Sequence, residues 1–222
     1  MPLLNVRFYK SGKMFWDERA TTLEKQTLQP IQNHIEMGLT LTELEIKVKA
    51  LPYYAPLFEK AFGFSNIDSV KIAKALSQFV RSIVTYQSKY DKVKQGLTVF
   101  TTAEATGEQL FLNAGNVSCA DCHTPPMFIT SSPIAGFGLA DTNDSGINGS
   151  RRFKSSSLRN ISIRSNLFHN GSISNVQTML QNGGVAQHAI AAKDVQNMMA
   201  FLNTLTDNTI LTEEKFSNPF KN

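Results

Sequence analysis

Cys119-Ala120-Asp121-Cys122-His123 is the stretch from which the rest of this chain is read. It is a C-x-x-C-H motif, the attachment signature of c-type haem. The chemistry asks for these residues at this spacing. Two thiols three positions apart reach both vinyl groups of one haem and form thioethers, and the adjacent histidine lies under the iron as its proximal ligand. Cys119 and Cys122 are the only cysteines among 222 residues, which argues against a disulfide framework and against a four-cysteine zinc site. A thioredoxin-like pair and a chance C-x-x-C are the readings the motif alone leaves open.

Upstream of the motif, Thr102 is placed to cap a helix over Ala103–Asn113, with Leu110 and Phe111 on it and Gly115 ending it. Downstream, residues 124–157 are rich in Pro, Ser, Gly, Asn and Asp and read as a loop over a haem edge. Within them Asp141–Asn148 lacks the EF-hand pattern and reads as a solvated turn cluster. A helix over Asn175–Asn182 follows. A last one over Ala192–Leu205 puts Val195, Met198, Met199, Leu202 and Leu205 on one face. Towards the start, Thr40 with Glu43 resembles a capping box opening Leu41–Ala50, and Pro56–Phe62 is a short amphipathic turn closed by Gly63. Ser69–Val84 has helical spacing, and the polar run Lys89–Gly96 reads as a linker. The expected organisation is therefore all-α, with residues 1–95 as a partial helical domain and 96–222 as a cytochrome c-like domain with a C-terminal tail. No internal repeat and no strand series stand out.

Apolar content is 41%, and the net charge of +4 with a pI near 9.0 comes from scattered Lys and Arg. No basic run looks like a nucleic-acid arm, and a mildly basic surface suits an acidic electron-transfer partner. No run of 18 apolar residues exists to span a membrane. Met1-Pro2-Leu3-Leu4-Asn5-Val6-Arg7 has no apolar signal region or small-residue cleavage site. Because haem is attached to this motif outside the bacterial cytoplasm, the expectation is a periplasmic protein whose signal peptide is not in this chain.

The flanking segments narrow the family. Phe15-Trp16-Asp17-Glu18-Arg19-Ala20, then Gln26, Pro30 and His34-Ile35-Glu36-Met37-Gly38, resembles the signature of the bacterial dihaem cytochrome c peroxidases and their MauG-like relatives. Arg152-Phe153-Lys154-Ser155-Ser156-Ser157-Leu158-Arg159-Asn160 is similar to that family's F-K-x-P-S-L-R-N segment. Phe168-His169-Asn170-Gly171 is similar to its Y-M-H-D-G, and Phe201–Asp207 to its F-L-x-x-L-T-D. Family members carry two C-x-x-C-H motifs and this chain has only the second, so the resemblance implies the C-terminal part of a longer protein, with the first haem domain missing.

The resemblance also implies roles. Cys119, Cys122 and His123 would hold the electron-transferring haem, one in this chain of two in the full protein. Met179 would be the sixth iron ligand, with Met198 and His188 as the other candidates, although methionines on an apolar helix face also serve as core filler. Trp16 would help electrons pass between the haems, unless it is ordinary core. Glu36 would move the proton in peroxide cleavage and Gln26 would position peroxide or water. Lys154 and Arg159 would meet haem propionates, with surface exposure as the alternative. His34 reads as a surface loop residue, and His169 as a structural or haem-edge histidine. Carbonyls near Arg164 and Asn166 would contribute to a Ca²⁺ site. The implied activity is reduction of hydrogen peroxide with electrons from a small cytochrome c or cupredoxin, possible homodimerisation included. A MauG-like oxidation of a protein or small molecule and a monohaem electron-transfer cytochrome are the rival readings. MauG uses a tyrosine as sixth ligand, and no tyrosine follows Tyr90 here, which favours the peroxidase.

Overall fold

Helix starts in this chain are written by side chains that satisfy the free N–H groups of a first turn. The computed structural model describes residues 1–64, 66–113, 118–129, 144–150, 152–182 and 189–218. Thr22 caps α1 (Leu23–Gln32), which keeps Pro30 inside its last turn. Thr40 and Glu43 close a full capping box on α2 (Leu41–Lys49). The segment expected as a turn at Pro56–Phe62 is a helix, α3 (Tyr54–Phe62), ended by Gly63 at φ 77°. α4 spans Ser69–Ser82.

The expected linker is also a helix, α5 (Lys89–Lys94). A capping box of Ser88 and Asp91 starts it, and Tyr90 buries its ring in a core. Composition hid this, because four of its six residues are charged and only that ring and Val93 are apolar. α6 (Thr102–Asn113) is capped one residue earlier than expected: the Thr101 hydroxyl accepts from Glu104 N, and the Glu104 carboxylate accepts from Thr101 N. The haem motif forms the single turn α7 (Cys119–Cys122). α8 (Val176–Asn182) and α9 (Val195–Asn203) follow, the latter entered by a 3₁₀ turn at Ala192–Asp194, and α10 (Thr209–Thr212) lies in the tail. Among the described residues there is no strand, only two isolated bridges, so the all-α class holds. Gly115, His188 and Asp141 lie outside the described residues.

The chain divides into two units: Gly12–Ser82, and Met1–Ser11 together with Ile83–Asn222. The first has its own core of Ile31, Leu44, Phe58, Ile67 and Ile72. In the second, α6 crosses α9 so closely that a Cβ on Gly107 would collide with the Asn197 carbonyl and lie 2.7 Å from the Phe201 Cβ. Around that crossing Phe111, Phe128, Phe201, Met198 and Leu205 are almost wholly buried. Tyr90, Phe128 and Phe201 meet edge to face at centroid distances of 4.9 to 6.2 Å.

The structure also contains a repeat that the sequence did not disclose. Asn5 and Asn160 both adopt the left-handed conformation (φ 60° and 59°), each followed by a 3₁₀ turn. Asn5 N donates to Ile83 O at 2.9 Å, and Asn160 N donates to Leu205 O at 3.2 Å. Two residues on, Thr85 N donates to Asn5 Oδ1 at 3.1 Å, and Asp207 N donates to Asn160 Oδ1 at 2.8 Å. Bridges Met14–Ala20 and Leu167–Ile173 then enclose loops with positive φ at matching places, Phe15 and Glu18 in one, Phe168 and Gly171 in the other. A helix begins three residues after each bridge, α1 and α8. In this register Phe79 of α4 corresponds to Phe201 of α9. Phe201, covered by α6, is 1% exposed, whereas Phe79 is 49% exposed.

Candidate functional site

Ser118 builds the haem-motif turn. Its hydroxyl accepts from Asp121 N at 3.2 Å, and the Asp121 carboxylate accepts from Ser118 N at 2.8 Å. This reciprocal cap fixes Cys119, Cys122 and His123 on one turn, with the His123 N–H bonded to Cys119 O at 2.8 Å. Both cysteines are free and half-buried. Burial pushes both thiols above the ordinary cysteine range, opposed at Cys119 by a backbone hydrogen bond and reinforced by the nearby Asp121. An exchange-active C-x-x-C pair has a lowered thiol pKa, so this environment does not suit the thioredoxin-like reading.

The residues fit a haem. Cys119, Ala120 and Phe168 pack against the apolar cluster that contains Met179, Met198 and Leu180. The His123 Nδ1 contacts the Ser155 hydroxyl at 3.0 Å, the arrangement in which a ligating imidazole is oriented through one nitrogen and coordinates with the other. Met179 and Met198 both lie in this cluster, 9% and 1% exposed, so Met179 retains the greater access.

The loop after the motif is held by the segment resembling F-K-x-P-S-L-R-N. The Ser157 hydroxyl donates to Met127 O at 2.6 Å, Leu158 N donates to Phe128 O at 3.0 Å, and Arg159 Nε and Nη2 donate to Pro126 O at 3.0 and 2.7 Å. Arg159 is fully buried and makes a two-pronged ion pair with Asp91 at 2.7 and 2.8 Å. The carboxylate that Arg159 pairs with in this structure is Asp91. Burial pushes Asp91 up, but the hydrogen bonds from Arg159 and Ser88 and the guanidinium charge outweigh it and hold the carboxyl below its ordinary value. Lys154 is also buried, its ammonium 3.7 Å from the centroid of the Tyr9 ring. Sequence reasoning missed Ser155, Phe153 and Asp91. The serine run was read only as a family match, and Asp91 lay in the supposed linker.

In the other unit, Glu36 lines a cleft of about 350 Å³ with Phe15, Arg19, Gln29, Gln32 and Asn33. Asn33 Nδ2 donates to Glu36 Oε1 at 2.8 Å, and the Arg19 guanidinium lies 3.7 Å above the Phe15 ring while bonding Asp17 at 2.9 Å. Gln26 and Trp16 are half-buried and do not line this cleft; Glu36 and His34 are exposed. Arg164 is largely buried, which lowers its pKa, and donates to Ser157 O at 3.3 Å. Among the described residues no three His, Cys, Asp or Glu side chains converge as a metal site, and no helix is long and apolar enough to cross a membrane.

Residues 1–98 match the family model described as di-haem cytochrome c peroxidase. The cytochrome c551 peroxidase of Nitrosomonas europaea is 31% identical over 209 residues, covering 86% of this chain and 61% of that protein. The methylamine utilization protein MauG of Methylophilus methylotrophus is 30% identical over 193 residues, covering 82% of this chain and 58% of that protein. The chain thus spans about three-fifths of the length of these relatives. Among solved structures, a MauG-like protein associated with microbial copper homeostasis superposes with a TM-score of 0.77 at 24% identity, covering 95% of this chain and 76% of its own. The diheme peroxidase BthA from Burkholderia thailandensis does so at 0.67 and 20%, covering 88% and 66%. Motifs, helical fold and relatives agree: this chain belongs to the dihaem cytochrome c peroxidase and MauG-like family.

Proposed function

We propose that this chain is the part of a periplasmic dihaem peroxidase that carries the electron-transfer haem. The observation that carries this reading is Cys119-Ala120-Asp121-Cys122-His123 held on one capped turn, in a chain with no second such motif. Bound haem supplies reversible one-electron redox chemistry. Cys119 and Cys122 would hold it by thioethers, and His123 and Met179 would be the protein side chains offered to the iron. Electrons come from a small cytochrome c or cupredoxin. Reduction of hydrogen peroxide to two waters takes two electrons and two protons. Glu36, oriented through Asn33, would move a proton from the inner to the leaving oxygen, and Gln26 would hold peroxide or water by hydrogen bonding. Trp16 assists electron passage. These three residues serve a peroxidatic haem in a domain outside this chain. Calcium at carbonyls near Arg164 and Asn166, and a homodimer, belong to the same proposal. A MauG-like reading is disfavoured by the lack of any tyrosine after Tyr90.

Haem content, intact mass and peroxide turnover with a reduced donor test this reading on both the 222-residue chain and the polypeptide from its native host. Two haems and rapid turnover in the native polypeptide, with one haem and little turnover in this chain, are the expected results. A native polypeptide of 24.6 kDa with one haem and no turnover would instead favour a monohaem electron-transfer protein.

A further inference from the structure

His169 is 4% exposed at its side chain, and neither ring nitrogen has a hydrogen-bond partner among the described residues. The half-exposed Asp144 places its Oδ2 3.6 Å from Nε2, beyond hydrogen-bonding range. An imidazole buried with both nitrogens unsatisfied costs roughly 1–3 kcal/mol per orphaned group, so a partner outside the polypeptide is one of the few reasons for a native fold to keep it. The ring is held firmly nonetheless, stacked on Phe153 at a centroid distance of 3.6 Å and an interplanar angle of 9°.

Its surroundings point to one partner. Phe153 and Ser155 lie two residues apart on one segment; the first carries His169 and the second touches His123 Nδ1. Phe168, the residue before His169, packs on the apolar cluster that Cys119 also touches. His169 is thereby tied from two sides to the residues that would hold a haem. A bound haem brings two carboxylates that need donors, and Arg159 is committed to Asp91 and Pro126. We infer that His169 donates a hydrogen bond from Nδ1 to a propionate of the haem attached at Cys119 and Cys122, with Asp144 facing Nε2. This inference rests on the haem reading above.

The test uses haem-loaded protein. Haem content is measured first; a chain that attaches no haem overturns both the reading and the inference. In the diamagnetic ferrous protein with ¹⁵N-labelled histidine, the expected result is a His169 ring N–H protected from solvent exchange, with a nuclear Overhauser effect to a propionate methylene. His169→Phe keeps the stack on Phe153 and removes only the donor, so it should lower the midpoint potential by leaving more negative charge near the iron. His169→Gln, which restores a donor, should recover most of the shift. A haem-bearing protein with no His169–haem Overhauser effect and an unchanged potential in His169→Phe overturns the inference alone. So does protection of the ring N–H that vanishes in Asp144→Asn, since Asp144 would then be the partner.

Discussion

Asp91 receives Ser88 with one oxygen and Arg159 with both, so a single carboxylate starts α5 and anchors the loop that follows the haem motif. Arg159→Met should leave that carboxylate buried without its cation and lose about 3–5 kcal/mol, measured by urea unfolding. The sign of the pH effect follows from the same group. Its folded pKa lies below the unfolded value, so the stability it adds is present above the ordinary carboxylate range and is lost as pH falls through the folded value. Asp207 behaves alike: burial raises it, but bonds from Thr209, Gln87 N and Tyr86 N hold it low. Melting temperatures taken from neutral pH down through the carboxylate range should fall, and Asp91→Asn should flatten part of that slope. Asn5 and Asn160 face a different constraint, a left-handed backbone plus two-way hydrogen bonding. Alanine at either should cost about 2 kcal/mol, from backbone strain and lost bonds together, and equal losses at the two sites in chemical denaturation would confirm that they do one job.

At the scale of elements, the crossing of α6 and α9 is the most constrained contact. Gly107→Ala forces a methyl against the Asn197 carbonyl, which is backbone and cannot swing aside. Overpacking of this kind costs about 1–3 kcal/mol, and calorimetry of the haem-loaded variant should show a lowered melting temperature with haem content retained. The sequence made α2, α4, α6 and α9 legible because periodic apolar residues and caps coincide there. α5 was not legible: its one long apolar contact, Tyr90, is a tertiary contact that no local pattern announces. The haem motif could be read letter by letter, since thioether chemistry fixes its spacing. The partners of Arg159 could not, because Asp91 is 68 residues away and only folding brings it there. The repeat escaped for a related reason. It lives in backbone dihedrals and N–H to O bonds, and side chains as unlike as Trp16 and His169 occupy matching places.

For the molecule as a whole, the unit that bears the haem motif is assembled from both ends of the sequence, with Gly12–Ser82 as an excursion between them. Within that unit the segment before the excursion is bonded to the residue at which the chain returns, Asn5 N donating to Ile83 O. Replacing residues 12–82 by a flexible glycine–serine linker should therefore leave a helical unit that still attaches one haem, checked by circular dichroism and haem content; loss of cooperative melting would show that the two units fold only together.

The paired asparagine brackets also carry a history. Two arrangements with the same order of turn, bridge, loop and helix within one polypeptide are what an ancient duplication leaves once the letters have drifted and only the indispensable bonds remain. Glu18 shows how far the drift has gone: it holds a left-handed conformation where the other copy has Gly171, so a residue with a side chain now occupies a place whose twin still needs none. Ancestral reconstruction, on this view, would return glycine to that site.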